Sequence, residues 1–210
     1  MLPLYPNNIR FPILTIILIT INILVFIYLS TLTPAQLTQV YNQYGVIPAL
    51  FYDQGFRFLT YGFIHDRFLH LIGNMWLLWL SGSILETNRT KALHIAIMIF
   101  SAVITGVAFC LANTGSTRIL IGLSGAIASV IGYVFATANN TVRTYIFPVF
   151  IIDVNVKALS AIWLAIQCFL MAYYPQSEVA FISHITGFVF GAGMGVLTGG
   201  PQNNLSDKGG

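Results

Sequence analysis

Apolar residues in this chain run on for about twenty positions at a time, with short polar stretches between the runs. Runs of that length with few charges predict membrane-spanning helices. Six are readable: Phe11–Ser30, Phe68–Leu85, Leu93–Ala112, Ile119–Ala138, Lys157–Tyr173 and Val179–Thr198. The stretch VRTYIFPVFIIDVNV, before the fifth, is also apolar, but Pro148 and Asp153 interrupt it, which predicts an interfacial segment rather than a span. Most connections have 18 residues or fewer. The first, Thr31–Arg67, has 37 and is rich in aromatics: Tyr41, Tyr44, Phe51, Tyr52, Phe56, Phe58, Tyr61 and Phe63. Long loops of this kind are often functional, and aromatics suit the headgroup level, so short helices lying partly in the outer leaflet are expected here. The predicted fold is an all-α membrane protein with six transmembrane helices. A short N-terminal segment (1–10) precedes a single helical domain (11–198), and a flexible tail (199–210) follows it.

Composition agrees with this reading. Of 210 residues, 57% are hydrophobic and 7% charged, with a mean hydropathy of +0.81. A soluble domain carries roughly 25% charged residues, so the chain is read as an integral membrane protein, one bundle with no room for a second sizeable domain. The net charge of +3 comes from nine scattered Lys and Arg, which excludes the clustered basic face that nucleic acid requires. With the N-terminus cytoplasmic, Arg10, Arg89, Lys91, Arg143, Lys157 and Lys208 lie inside, and Arg57, Arg67 and Arg118 lie outside. That bias predicts both termini in the cytoplasm. The first run is too long for the core of a cleaved signal peptide and reads as a retained signal anchor. No lipidation motif is visible and no period of 20–50 residues repeats. Cys110 and Cys168 have no metal-ligand or disulfide spacing and read as small buried hydrophobes.

The few polar residues inside the spans are functional candidates by default. The second span opens FLHLIGNMW with His70 and Asn74, the fourth carries GLSG with Ser124, and the sixth opens VAFISHITG with His184. All three spans start on the outer side. Ser124 and His184 stand five residues into theirs, about 7–8 Å deep at 1.5 Å per residue, with Asn74 near the same level and His70 closer to the surface. Three helices distant in sequence thus place a hydroxyl, an imidazole and an amide at one depth. His70 and Asn74, at i and i+4, share a helix face. Gly122 and Gly125 allow close approach to the Ser124 hydroxyl, and Gly187, Gly191 and Gly195 leave a smooth face for helix packing. A serine beside a neutral histidine is an activated nucleophile. No carboxylate within the spans is available to orient the imidazole, so the unit expected is a dyad. Asn74, His70 and the Ser124 N–H are candidates to stabilise an oxyanion.

Each residue alone has a plainer reading. Ser124 can be a packing serine, His70 and Asn74 interhelical glue, and His184 a histidine tucked against a carbonyl. His94 is expected at the inner interface, and Arg57 and Glu86 at membrane boundaries in snorkelling or loop-anchoring roles. The shared depth and sidedness of the set favour chemistry.

In these residues the chain resembles the rhomboid family of intramembrane serine proteases. The family's H-x-x-x-N is matched by His70 and Asn74, with the additional histidine five residues earlier at His65. Its G-x-S-G is matched by Gly122, Ser124 and Gly125, and its H-x-x-G-x-x-x-G by His184, Gly187 and Gly191. The aromatic-Arg pair of the long first loop appears as Phe56-Arg57, and a glutamate ending the second span as Glu86. The matches fall in the family's order and cover the chain from the first span through Thr198. Four residues after the serine, where many members stack an aromatic on the imidazole, stands Ala128.

The resemblance implies a six-helix rhomboid bundle with a Ser124–His184 dyad in a water-filled cavity open to the outer side. It implies oxyanion contacts from Asn74, His70 and the Ser124 N–H, no metal and no cofactor. The implied substrates are single-span transmembrane proteins, cut near their outer end. Separately, the compact chain with short termini is read as prokaryotic, hence in a plasma (inner) membrane. The loop Tyr174–Glu178 and the top of the fifth span are implied as a cap. Two other readings remain: a non-catalytic rhomboid-like binder of transmembrane helices, motivated by Ala128, and a channel or small transporter. The lack of carboxylates in the spans weighs against ion coupling.

Overall fold

The computed structural model describes residues 12–199 except 54, 139–140, 147–149, 175–176 and 178, with backbone only at 87–88, 142–146 and 150–154. The expected N-terminal segment (1–10) and the tail from 200 onward lie outside the described residues. So does most of the expected cap, which is described only at Tyr174 and Ser177.

Eight α-helices are described. The long ones are α1 (Ile13–Ser30), α4 (Phe68–Asn88), α5 (Lys91–Ala112), α7 (Val156–Tyr173) and α8 (Phe181–Thr198), each long and apolar enough to cross a membrane. The predicted fourth span is shorter than expected. Its helix, α6, covers only Ser124–Thr137. Residues 119–123 are instead outside the helix: Leu120 pairs with Val46 through hydrogen bonds of 2.8 and 3.1 Å, and the chain bends at Gly122 before the helix starts. The long first loop holds two short helices, α2 (Pro34–Tyr44) and α3 (Arg57–Thr60). The sequence TPAQ starts α2 as a capping box: Thr33 and Gln36 satisfy each other's backbone N–H, and Pro34 occupies a position that needs no donor.

The all-helical expectation needs one amendment. The interrupted apolar stretch before α7 forms a two-stranded antiparallel ribbon, β1 (Thr141–Ile146) with β2 (Phe150–Asn155), in the register Thr141 opposite Asn155. Asn155 then caps α7 by accepting from the Ala158 N–H at 3.0 Å.

Helix α6 sits at the centre, with every residue from Gly125 to Val134 buried. A helix enclosed on all sides has no amphipathic stripe, and its packing depends on residue size. A Cβ added at Gly132 would strike the Phe188 carbonyl of α8. One at Gly187 would strike the Gly125 carbonyl, and one at Gly191 the Ser129 carbonyl. The two helices therefore touch backbone to backbone along their length. The outer helices are turned the other way: α1 exposes Ile13, Ile17, Ile21, Leu24 and Tyr28, and α7 exposes Leu159, Ile162, Ile166 and Phe169. That is the distribution expected of lipid-facing surfaces.

The first loop packs its aromatics onto α5. Tyr61 donates its hydroxyl to the Ala102 carbonyl at 2.9 Å, and the Phe58 ring occupies the space beside Gly106. Glu86, at the far end of α4, accepts from the N–H groups of Leu14 and Thr15, each at 2.9 Å, and from the Thr15 hydroxyl at 3.0 Å. Pro12, at the N-cap of α1, offers no side-chain cap, so this carboxylate satisfies the orphan donors of that helix end.

One expectation is corrected: Cys110 is buried, but Cys168 is exposed on α7. His94, in the first turn of α5, is fully enclosed by protein.

The α6–α8 contact generates a paired prediction. Gly191→Ala forces a methyl into the Ser129 carbonyl and should destabilise by about 1–3 kcal/mol, whereas Gly193→Ala meets nothing within 4 Å and should leave the melting temperature in detergent unchanged or raised.

Candidate active site

Gly122 shapes the approach to α6. It has a φ of +101°, a conformation that residues with a Cβ rarely adopt, and its N–H donates to the Tyr61 carbonyl at 2.9 Å. A Cβ there would lie 2.6 Å from His70 Nε2 and 3.6 Å from Asn74 Nδ2, so both α4 side chains close over this glycine. The chain then turns into helix at Ser124, the first residue of α6. Leu123 at the N-cap makes no side-chain cap, and the N–H groups of a first helical turn have no acceptor within the helix. Ser124 thus stands at the positive end of the helix dipole.

The depth estimate is corrected here. Extended chain covers about 3.3 Å per residue rather than 1.5, so helical rise does not measure the position of Ser124. The helix bearing His184 likewise begins at Phe181, making His184 its fourth residue. The meeting itself holds. His184 Nε2 lies 2.7 Å from Ser124 Oγ, with Ser124 half-buried and His184 buried. Gly125 and Gly187 bring the two helices together at this level, Gly125 also fitting against Thr105 of α5. Ser183 ties the start of α8 to α5 by donating to the Thr105 carbonyl at 3.1 Å.

The α4 groups are held from the loop before them. Asn74 Nδ2 donates to His65 Nε2 at 2.8 Å, which leaves the second amide hydrogen unused by that bond and places the His65 proton on Nδ1. Burial, then the charge of nearby His70, pushes the His65 imidazole down to about 4. His70 donates Nδ1–H to Asp66 Oδ1 at 2.7 Å, which leaves Nε2 toward Gly122. Burial works to raise the Asp66 carboxyl, but the His70 hydrogen bond and charge, with Arg67 nearby, hold it below the usual range.

Of the other expected residues, Gly122, Gly125 and Gly187 stand next to the dyad residues, His65 bonds Asn74, and Gly191 packs on Ser129 about two turns further along α8. Arg57 starts α3 in the loop, and its Nε and Nη1 find no partner among the described residues. Glu86 stands sixteen residues along α4 from His70, about 24 Å away at helical rise.

The structure adds residues that the sequence reading passed over. Gln167 of α7 places Oε1 2.8 Å from His184 Nδ1. Trp163, also on α7, brings its ring within 5.9 Å of the imidazole, and Phe181 within 6.3 Å. Aromatic company for the imidazole thus comes from α7 and α8, while Ala128 packs toward Gly187. Asp66 was passed over as well. Gln167 was findable: a glutamine in a span carries an amide that must be paired. Among the described residues no three His, Cys, Asp or Glu side chains gather as metal ligands.

A hydroxyl bonded to a buried imidazole at a helix N-terminus thus lies inside a bundle of helices long and apolar enough to cross a membrane, the architecture of an integral membrane protein. The Rhomboid domain matches residues 52–201, a stretch that contains every candidate named above. The chain belongs to the rhomboid family. It is 25% identical over 186 residues to the rhomboid protease GlpG of Photorhabdus laumondii, an overlap of 85% of this chain and 58% of that protein. To the rhomboid protease GlpG of Yersinia pestis it is 26% identical over 145 residues, 67% of this chain and 47% of that one. The chain therefore spans about half the length of the curated relatives it matches.

His65 generates a pH prediction. With its folded pKa about 4 against an unfolded value near 6.5, the unfolded chain takes up the proton first as pH falls. Stability from this group is fully present above about pH 6.5 and declines toward pH 4, by at most about 3 kcal/mol. Thermal melting across that range should show a smaller decline in His65→Gln than in the wild type.

Proposed function

We propose that the chain is an intramembrane serine endopeptidase that cleaves transmembrane segments of membrane proteins. The observation that carries this is the 2.7 Å contact between Ser124 Oγ and His184 Nε2, at the N-terminus of a buried helix. Ser124 attacks the scissile carbonyl as its proton passes to His184 Nε2. The carbonyl π electrons move to oxygen, and the ring returns the proton to the departing amine. The oxyanion is met by the Ser124 N–H and the free hydrogen of the Asn74 amide, and by the His70 ring when both its nitrogens carry hydrogen, Nδ1–H held by Asp66 and Nε2–H turned to the site. Water then repeats the sequence on the acyl-enzyme.

In this reading residues 11–198 are one six-helix rhomboid domain with both termini cytoplasmic. The site faces the outer side of a prokaryotic inner membrane. Substrates are transmembrane proteins in the same bilayer, and neither metal nor cofactor takes part. Gly122, Gly125, Gly187 and Gly191 keep the dyad close, His65 holds Asn74 and Glu86 caps α1.

Cleavage of a panel of tagged single-span substrates tests the proposal. Wild type should release product and react with a fluorophosphonate at Ser124, and Ser124→Ala should do neither. Substrate capture without product, unchanged in Ser124→Ala, would select the non-catalytic binder instead. A further expectation concerns Asp66: in Asp66→Ala the His70 ring loses its anchor, and kcat/KM should fall on the order of 10-fold, with fold and melting temperature retained.

A further inference from the structure

Helix α7 buries little of itself. Its buried residues are Ser160 and Gln167, which with half-buried Trp163 form one stripe at i, i+3 and i+7. The opposite face is lipid-exposed Leu159, Ile162, Ile166 and Phe169. A glutamine amide carries two donor hydrogens and an acceptor, and leaving it unpaired in an apolar surround is costly. Gln167 is 8% exposed, turned inward, and its Oε1 meets His184 Nδ1 at 2.8 Å.

A neutral imidazole carries one ring proton, and nothing in a serine–histidine pair selects which nitrogen holds it. With the proton on Nε2, His184 donates to Ser124 and cannot accept the hydroxyl proton. With it on Nδ1, the Nε2 lone pair faces Ser124 Oγ and the pair is reactive. An amide oxygen at Nδ1 selects the second state.

We propose that Gln167 is the positioning residue of this site, supplying from α7 the acceptor that fixes the tautomer and orientation of His184. The proposal rests on the endopeptidase reading. During attack the serine proton passes to Nε2, and the doubly protonated ring keeps its Nδ1–H bond to Gln167. The Nε2 proton then goes to the leaving nitrogen as the C–N bond breaks. Gln167 neither gains nor loses a proton. Because it stands on α7, the proton arrangement of the dyad depends on a helix other than the two that bear it.

The test compares wild type, Gln167→Leu, Gln167→Met and Gln167→Glu as full chains in detergent. Leu and Met keep the bulk but remove the acceptor, and Glu keeps an acceptor oxygen. The expected result is a fall in kcat, and in fluorophosphonate labelling rate, on the order of 10- to 100-fold in the Leu and Met variants. KM should stay within about twofold and melting should be unchanged, with Gln167→Glu recovering most of the rate. Nitrogen-15 spectra of the His184 ring, assigned by their loss in His184→Ala, should show Nδ1 protonated in wild type and a tautomer mixture in Gln167→Leu. Wild-type kcat and tautomer in the Leu and Met variants would overturn the proposal. So would equal impairment of all three variants, which marks a packing role. If wild type itself neither cleaves nor labels, the endopeptidase reading fails, and the ring spectra still decide what Gln167 does.

Discussion

The backbone contact between α6 and α8 is the constraint on which the rest depends. Gly132, Gly187 and Gly191 leave no room for a side chain between the two helices. In lipid, no hydrophobic effect drives helices together, so close van der Waals approach must supply the association. Here that approach runs directly into chemistry. The first turn of α6 carries Ser124 and the first turn of α8 carries His184, and the nearness of the two helices becomes a 2.7 Å hydrogen bond. The remaining elements serve to keep this pair enclosed. Helix α5 offers Thr105 as a neighbour to Gly125, α4 closes over Gly122, and the long first loop is pinned by Val46 and Tyr61.

Polar groups around the site form a relay of mutually satisfied partners. Asp66 holds His70, His65 receives Asn74, and Gln167 receives His184. Each bond assigns a proton to one ring nitrogen, so three histidines that are ambiguous in isolation have definite donor and acceptor faces. In an apolar interior an unmatched polar atom is expensive, and this arrangement turns that expense into orientation.

Much of this was legible from residue order alone, because membrane spans are announced by length and composition. Five of the six runs became helices within a few residues of their expected ends. The fourth failed for a reason hydropathy does not see. Residues 119–123 are as apolar as a helix, but Leu120 pairs with Val46 and Gly122 turns through a positive φ before the helix begins. The ribbon of β1 and β2 was hidden similarly, since a mixed apolar stretch broken by proline does not name its own pairing. At the site, Ser124, His184, His70 and Asn74 stood out as polar residues in apolar runs. Gln167 obeyed the same rule but sat in a run with no recognisable motif around it. Asp66 precedes α4, outside the apolar run, and only the folded chain brings its carboxylate to His70.

The glycine contact also decides how the protein responds to its surroundings. Helices α1 and α7 meet the acyl chains with most of their surface, so a thinner or thicker bilayer acts first on their tilt. The spacing of α6 and α8 is set by main-chain atoms already in touch, which offers such forces nothing to compress. Membrane thickness therefore bears on how α7 leans toward the imidazole, and hardly at all on the distance between serine and histidine.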